Sequence, residues 1–222
     1  AVDSAFNPVF RDCETNGCLP VHTFVGGNTW IPQLLQNPDW RLNAQSESGY
    51  LNTTLLAAKS MLTNAADLEL TVTEEGSNKI AVIRVINQTG HKLPTGYAEG
   101  RRMWLSVKAY DSAGNLIYES GGYDPGSGEL TIDADTKVYE IKQGLTPELA
   151  SELELPSGES FHFVLNNTVV KDNRIPPRGV TQQEFNRPGL EPVDAVYESG
   201  QYWDDTSYNL PLETASVLVI LY

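Results

Sequence analysis

Met103-Trp-Leu-Ser-Val-Lys-Ala-Tyr-Asp-Ser-Ala-Gly-Asn-Leu-Ile-Tyr-Glu119 decides the fold. Met103, Leu105, Val107 and Ala109 alternate with Trp104, Ser106, Lys108 and Tyr110. A period of two sends successive side chains to opposite faces of a strand. Asp111-Ser-Ala-Gly-Asn115 supplies turn-forming residues, and Leu116–Glu119 resumes the extended pattern, so the stretch reads as a β-hairpin. Working outward, Leu68, Leu70 and Val72 alternate with Glu69 and Thr71. Glu75-Gly-Ser-Asn78 is a turn, and Ile80–Ile86 is apolar on both faces apart from Arg84. Further strands fit Leu130–Asp133, Val138–Lys142, Ser160–Leu165 and Ser216–Tyr222. The continuous apolar run Val217–Tyr222 suits a strand buried on both faces. About eight strands at short spacing imply a mainly β chain, an antiparallel β-sandwich of Ig-like kind.

Upstream the period changes. Leu51, Leu55, Ala58, Leu62 and Ala65 lie on one face at 3.6 residues per turn, with Ser46 or Ser48 as candidate caps. The spacing predicts an amphipathic helix over 47–66. Residues 1–46 are irregular, with four prolines, Gly26-Gly27 and a short helix near Ile31–Gln36. The expected organisation is an N-terminal arm (1–46), the helix (47–66) and the sandwich domain (67–222). Thr146 as cap with Pro147 at the first helical position predicts a short helix within Leu145–Glu154. The Pro- and Gly-bearing stretch Asn173–Pro192 reads as a long structured loop.

Composition bounds the partners. Over 222 residues, 15 Lys+Arg stand against 29 Asp+Glu, a formal net charge of −14. Such a balance argues against nucleic acid and anionic membrane as main partners. No apolar run is long enough to cross a bilayer. No signal sequence opens the chain, as expected if one has been removed from an exported protein. Two cysteines exclude a four-cysteine zinc site. Cys13 and Cys18, in Cys-Glu-Thr-Asn-Gly-Cys, read as a small disulfide loop in an oxidising compartment, or else as two free thiols. Asn52, Asn87 and Asn166 open Asn-x-Thr sequons and are candidate glycosylation sites.

Chemistry is concentrated in Asn87-Gln-Thr-Gly-His-Lys-Leu-Pro-Thr-Gly-Tyr-Ala-Glu-Gly-Arg-Arg-Met-Trp104. His91 sits at the start of this loop, either as a presented ligand or as a residue that holds the turn. One of Arg101 and Arg102 is expected to be buried or half-buried, with Glu99, Asp172 or Asp204 as a candidate ion-pair partner. His162 is expected to be half-buried in its strand, and no two of the three histidines have metal-ligand spacing. Asp133, Asp135, Asp204 and Asp205 crowd turns and are candidate calcium ligands, since calcium takes six to eight oxygens. Catalytic templates fail: there is no G-x-S-x-G, no H-E-x-x-H and no nucleotide-binding glycine loop. A non-catalytic role is therefore expected.

Four runs carry a resemblance: Thr89-Gly-His-Lys-Leu-Pro-Thr-Gly-Tyr97, Gly100-Arg-Arg-Met-Trp-Leu105, Val170-Lys-Asp-Asn-Arg-Ile-Pro-Pro-Arg-Gly179 and Ser199-Gly-Gln-Tyr-Trp-Asp-Asp205. They resemble the haem-free C-terminal region of secreted multihaem c-type cytochromes. His22-Thr-Phe-Val-Gly-Gly-Asn28 is similar to the stretch after the last haem motif of that family. Where the family has Cys-x-x-Cys-His, this chain has Cys13, four residues, Cys18 and then Leu19. The resemblance thus implies no covalently bound haem. It implies that His91, or secondly His22, could ligate a haem held by a partner chain. The family also runs on beyond the equivalent of Tyr222, which implies a longer native chain or a strand completed by a neighbour.

These features lead to one expectation and two alternatives. The first is an exported, extracellular, cell-surface or periplasmic structural module that contacts protein. It would either self-associate, for example into a filament, or dock to a multihaem cytochrome. Its arm would make contacts through Phe10, Phe24, Trp30 and Trp40, with Phe6 beside them. The second is an electron-transfer accessory giving His91 or His22 to a partner haem. The third is a carbohydrate-binding module using the ring faces of Tyr202, Trp203 and Tyr208.

Overall fold

A computed structural model describes residues 25–36, 44–97, 100–185, 187 and 189–222, with only the backbone of 44–48, 182 and 185. Cys13, Cys18, His22, Phe10, Phe24, Trp40 and Glu99 therefore lie outside the described residues. The chain divides into two compact units, 1–66 and 67–222.

In the first unit α1 (Ile31–Leu35) opens with Pro32 in its first turn. It neighbours α2 (Ala44–Thr63), and Gln36 Nε2 donates to Asn52 Oδ1 at 3.1 Å. Helix α2 starts three residues earlier than the spacing predicts, so Ser46 and Ser48 lie inside it rather than capping it. On the expected apolar face Ala58 is buried, Leu51 and Leu55 are half-buried, and Leu62 is exposed.

The second unit is mainly β, built of antiparallel sheets in a sandwich-like arrangement. One sheet has the order β1 (Ala66–Glu75), β2 (Asn78–Asn87), β11 (Trp203–Pro211). A second has β12 (Ser216–Leu221), β3 (Met103–Tyr110), β4 (Leu116–Ser120), with β7 (Val138–Tyr139) also on β3. A third has β10 (Thr168–Asp172), β8 (Ile141–Leu145), β9 (Gly158–Glu159), and β5 (Tyr123–Asp124) pairs with β6 (Glu129–Leu130). The core comes from alternate positions: Ala81, Ile83 and Val85 of β2, Leu105, Val107 and Ala109 of β3, and Tyr208 and Leu210 of β11. Burying each Val, Leu or Ile of this set contributes about 1.5–3 kcal/mol, which favours this strand register.

The hairpin forms because its turn is bonded by its own side chain. Asp111 Oδ1 accepts from the N–H groups of Ala113 and Asn115, and Oδ2 from Asn115 Nδ2. Those bonds hold the Asp111 carboxyl below the usual carboxylate range. Thr146 caps α3 (Pro147–Glu152) by accepting from the Leu149 N–H. The long loop 173–192 carries a short α4 (Gln182–Phe185).

Two strand expectations need correction. Residues 160–165 are a turn, not a strand: Leu165 and Asn166 N–H groups both donate to the His162 carbonyl. His162 and its neighbours Phe161, Phe163, Val164 and Leu165 are exposed. β12 is an edge strand, so its apolar run is covered on one face only and Leu218 and Ile220 face outward. β1 is likewise an edge, exposed along its whole length after Ala66.

Candidate functional site

The loop after β2 is built around Asn87, which is fully buried at the strand end. Its Nδ2 donates to the carbonyls of His91 at 2.7 Å, Ile175 at 3.0 Å and Pro176 at 3.0 Å. Its Oδ1 accepts from the Thr89 N–H and hydroxyl, each at 2.8 Å. Leu93 and Ile175 exchange two backbone hydrogen bonds of 2.9 Å. One side chain thus ties the 88–95 loop to the 173–177 segment, satisfying carbonyls that would be costly to bury unpaired.

Asp172 makes the second tie. It is 1% exposed and accepts from Lys92 Nζ at 2.8 Å and from Arg174 Nε and a terminal guanidinium nitrogen, each at 2.8 Å. Burial pushes its carboxyl up, but the bonds and charges of Arg174 and Lys92 outweigh that and hold it below the usual carboxylate range. Lys92 Nζ also donates to the Leu190 carbonyl at 2.7 Å, and Tyr197 Oη to the Asn173 carbonyl at 2.8 Å.

His91 stands on this platform with its side chain exposed. Its carbonyl accepts from Asn87 and Thr89. Among the described residues the imidazole has no hydrogen-bond partner. The turn is held by the backbone of His91 and not by its ring.

The acidic candidates do not converge. Asp133 accepts from Ser120 Oγ and the N–H groups of Gly121 and Asp135, while Asp135 accepts from Tyr118 Oη. Asp204 is occupied by Lys137 and Tyr139, and Asp205 by Arg84. Among the described residues no three His, Cys, Asp or Glu side chains form a metal-binding group. The expected burial of Arg101 or Arg102 is corrected too: both are exposed, Asp172 is taken by Lys92 and Arg174 and Asp204 by Lys137, and Glu99 lies outside the described residues.

Two further expectations are corrected. Asn87 is no glycan acceptor, because its amide nitrogen is buried and bonded to three carbonyls. Asn166 is half-buried and its Nδ2 donates to the Ser160 carbonyl, whereas Asn52 is exposed on α2. The sugar platform does not form either. Tyr208 is buried, the Arg84 guanidinium lies 5.2 Å from the Trp203 ring, and that of Arg178 lies 4.5 Å from the Tyr202 ring. Of the arm aromatics only Trp30 is described, and it is exposed.

Sequence reasoning missed two aromatic groups. Trp104 stacks on Tyr222 with centroids 5.2 Å apart, and Tyr123 contacts both. Tyr97, Phe163 and Phe161 form an exposed chain of edge contacts. Gly158 before the 160–165 turn and Asn166-Asn167 after it were the punctuation that could have revealed it.

The fold is therefore a sandwich-like β body with a pinned loop platform at one end. No family model matches the chain, and no curated protein matches it. Among solved structures, a penta-heme cytochrome c552 from Thermochromatium tepidum is similar, with a TM-score of 0.48 and 17% identity. The likeness covers 74% of this chain and 33% of that one, so this chain spans about a third of the cytochrome's length. Among the described residues no helix is long and apolar enough to cross a membrane.

Proposed function

We propose that this chain is a non-catalytic module of an exported assembly, related to multihaem cytochromes, whose copies associate through open strand edges. The observation that supports it is a pair of strand edges that no other described strand covers. β1 presents Leu68, Leu70 and Val72, and β12 presents Leu218 and Ile220, each about two-fifths exposed, on edges that are unpaired among the described residues. Edge strands are commonly blunted by inward charge, proline or a covering loop, and uncovered apolar edges recur at association sites. Cross-linking of the purified chain followed by peptide mapping tests this. Cross-links between copies near β1 or β12 are expected, and their absence at high concentration counts against the proposal.

A second reading gives His91 to the haem of a partner chain. Its exposed imidazole, held on a pinned loop, is the observation that favours it. Visible spectra of a complex with a multihaem cytochrome decide: a low-spin haem spectrum unchanged by His91→Ala sinks the idea.

A further inference from the structure

A cleft opens between the end of the loop before β3 and the 160–165 turn. Its walls include Arg101, Arg102, Lys142, Ser160, Phe161 and Phe163. Two physical features of it stand out against the rest of the molecule.

The first is charge. The chain carries a formal net charge of −14, and most of the cations among the described residues lie on carboxylates. In this cleft the two glutamates are already occupied: Lys171 Nζ lies 2.9 Å from Glu140, and Lys142 Nζ 3.0 Å from Glu159. Arg101 donates to the Thr95 carbonyl at 2.9 Å. Arg102 lies 5.8 Å from the Trp104 ring centroid. Neither arginine has a carboxylate partner among the described residues. A guanidinium resting on an aromatic face keeps its edge donors free for the two oxygens of a carboxylate.

The second is exposed aromatic surface beside that charge. Phe161 is 79% exposed and Val164 98%. Phe161 meets Phe163 at 6.2 Å, edge to face, and Phe163 meets Tyr97 at 6.3 Å in the same way. Gly96 and Gly100 leave room for Arg101 and Tyr97 at this place. A Cβ on Gly100 would lie 2.6 Å from the Tyr97 ring, and one on Gly96 would collide with the Arg101 guanidinium. An exposed row of edge-to-face rings leaves ring faces open on which a further aromatic side chain can pack.

We propose that this cleft binds an acidic, aromatic-anchored peptide segment of a partner protein. The arginines take its carboxylates, and the Tyr97–Phe163–Phe161 edge takes its ring. A small free anion would leave the aromatic edge bare. A peptide segment presents its charges to the cleft alone, whereas an anionic membrane faces the acidic molecule over a wide area. The inference rests on reading the chain as an interaction module, but it uses a surface separate from the β1 and β12 edges. Failure here leaves edge association standing, and failure there leaves this cleft to be judged by its own binding curve.

The test is fluorescence anisotropy with the full chain and three labelled peptides. One is rich in Glu and Asp with Trp anchors, one has Lys in place of the acids, and one has Ala in place of Trp. Saturable binding of the first alone is expected. The double variant Arg101→Ala/Arg102→Ala and, separately, Phe161→Ser should each weaken it at least about tenfold, with unchanged melting temperature. Arg102→Lys should recover only part of the affinity, because it restores charge without the planar fork. Phosphatidylcholine vesicles with and without phosphatidylglycerol form a parallel arm. No saturable peptide binding, equal binding by the variants, or binding to the anionic vesicles in place of the peptide would overturn the proposal.

Discussion

The Asn87 side-chain amide donates at 3.0 Å to the carbonyl of Ile175, 88 positions along the chain. This bond joins two loops that have no strand pairing between them beyond the Leu93–Ile175 bridge. Replacing Asn87 by Ala leaves buried carbonyls without donors, each worth about 1–3 kcal/mol. We expect Asn87→Ala to lose about 3 kcal/mol in urea titration. Hydrogen exchange at the Leu93 and Ile175 amides should accelerate more than at core strand amides such as Val107. Equal acceleration throughout would show that Asn87 has no special hold on the loop.

Asp172 sits between Lys92 and Arg174, and its loss leaves two cations facing an empty partner position. Asp172→Asn should cost about 3–5 kcal/mol, the usual penalty for breaking a buried pair on one side. The pH dependence follows from the sign of the shift. A carboxyl held below its unfolded value of about 3.9 stabilises fully above that value and loses this as pH falls through the folded one. Asp133 shifts in the same direction: burial raises it, and bonds from Gly121 and Ser120 more than compensate. Wild type should therefore lose stability on acidification below about pH 4, and Asp172→Asn should show a shallower fall. Parallel acid curves would refute the assignment of that limb to Asp172.

Gly121 and Gly76 share a left-handed φ of +64°, but their surroundings differ. A Cβ on Gly121 would collide with the Leu105 carbonyl, whereas one on Gly76 meets nothing within 4 Å. Gly76→Ala should cost about 1 kcal/mol from backbone strain alone. Gly121→Ala should cost clearly more, because a core strand must shift. Thermal melts of the two variants compare them directly, and equal losses would show that the β3 backbone yields freely.

Much of the fold is legible in the residues. The 103–119 hairpin shows its alternation, its turn and its buried face in order, and Thr146-Pro147 announces the start of α3. What stayed hidden depends on partners distant in sequence. Val217–Tyr222 looks like a strand covered on both faces, but coverage depends on what packs against it, and among the described strands β12 pairs with β3 alone. The alternating Phe161, Phe163 and Leu165 mimic a strand, yet bonds to the His162 carbonyl close them into a turn. The loop around His91 was recognisable as the chemically dense region. That Asn87, read as a glycan acceptor, is its buried hub could not be seen without the position of Ile175.

Association through the edges of β1 and β12 rests on apolar side chains half open to solvent. Leu70 is 42% exposed on one and Ile220 37% on the other. Charged side chains at such positions block strand pairing with little cost to the folded monomer. Static light scattering of the full chain over a concentration series, wild type beside Leu70→Lys/Ile220→Lys, measures this directly. Edge association gives a mass that rises with concentration for wild type and stays monomeric for the double variant at equal melting temperature. A wild-type chain that remains monomeric throughout, or a double variant that associates equally well, would contradict it.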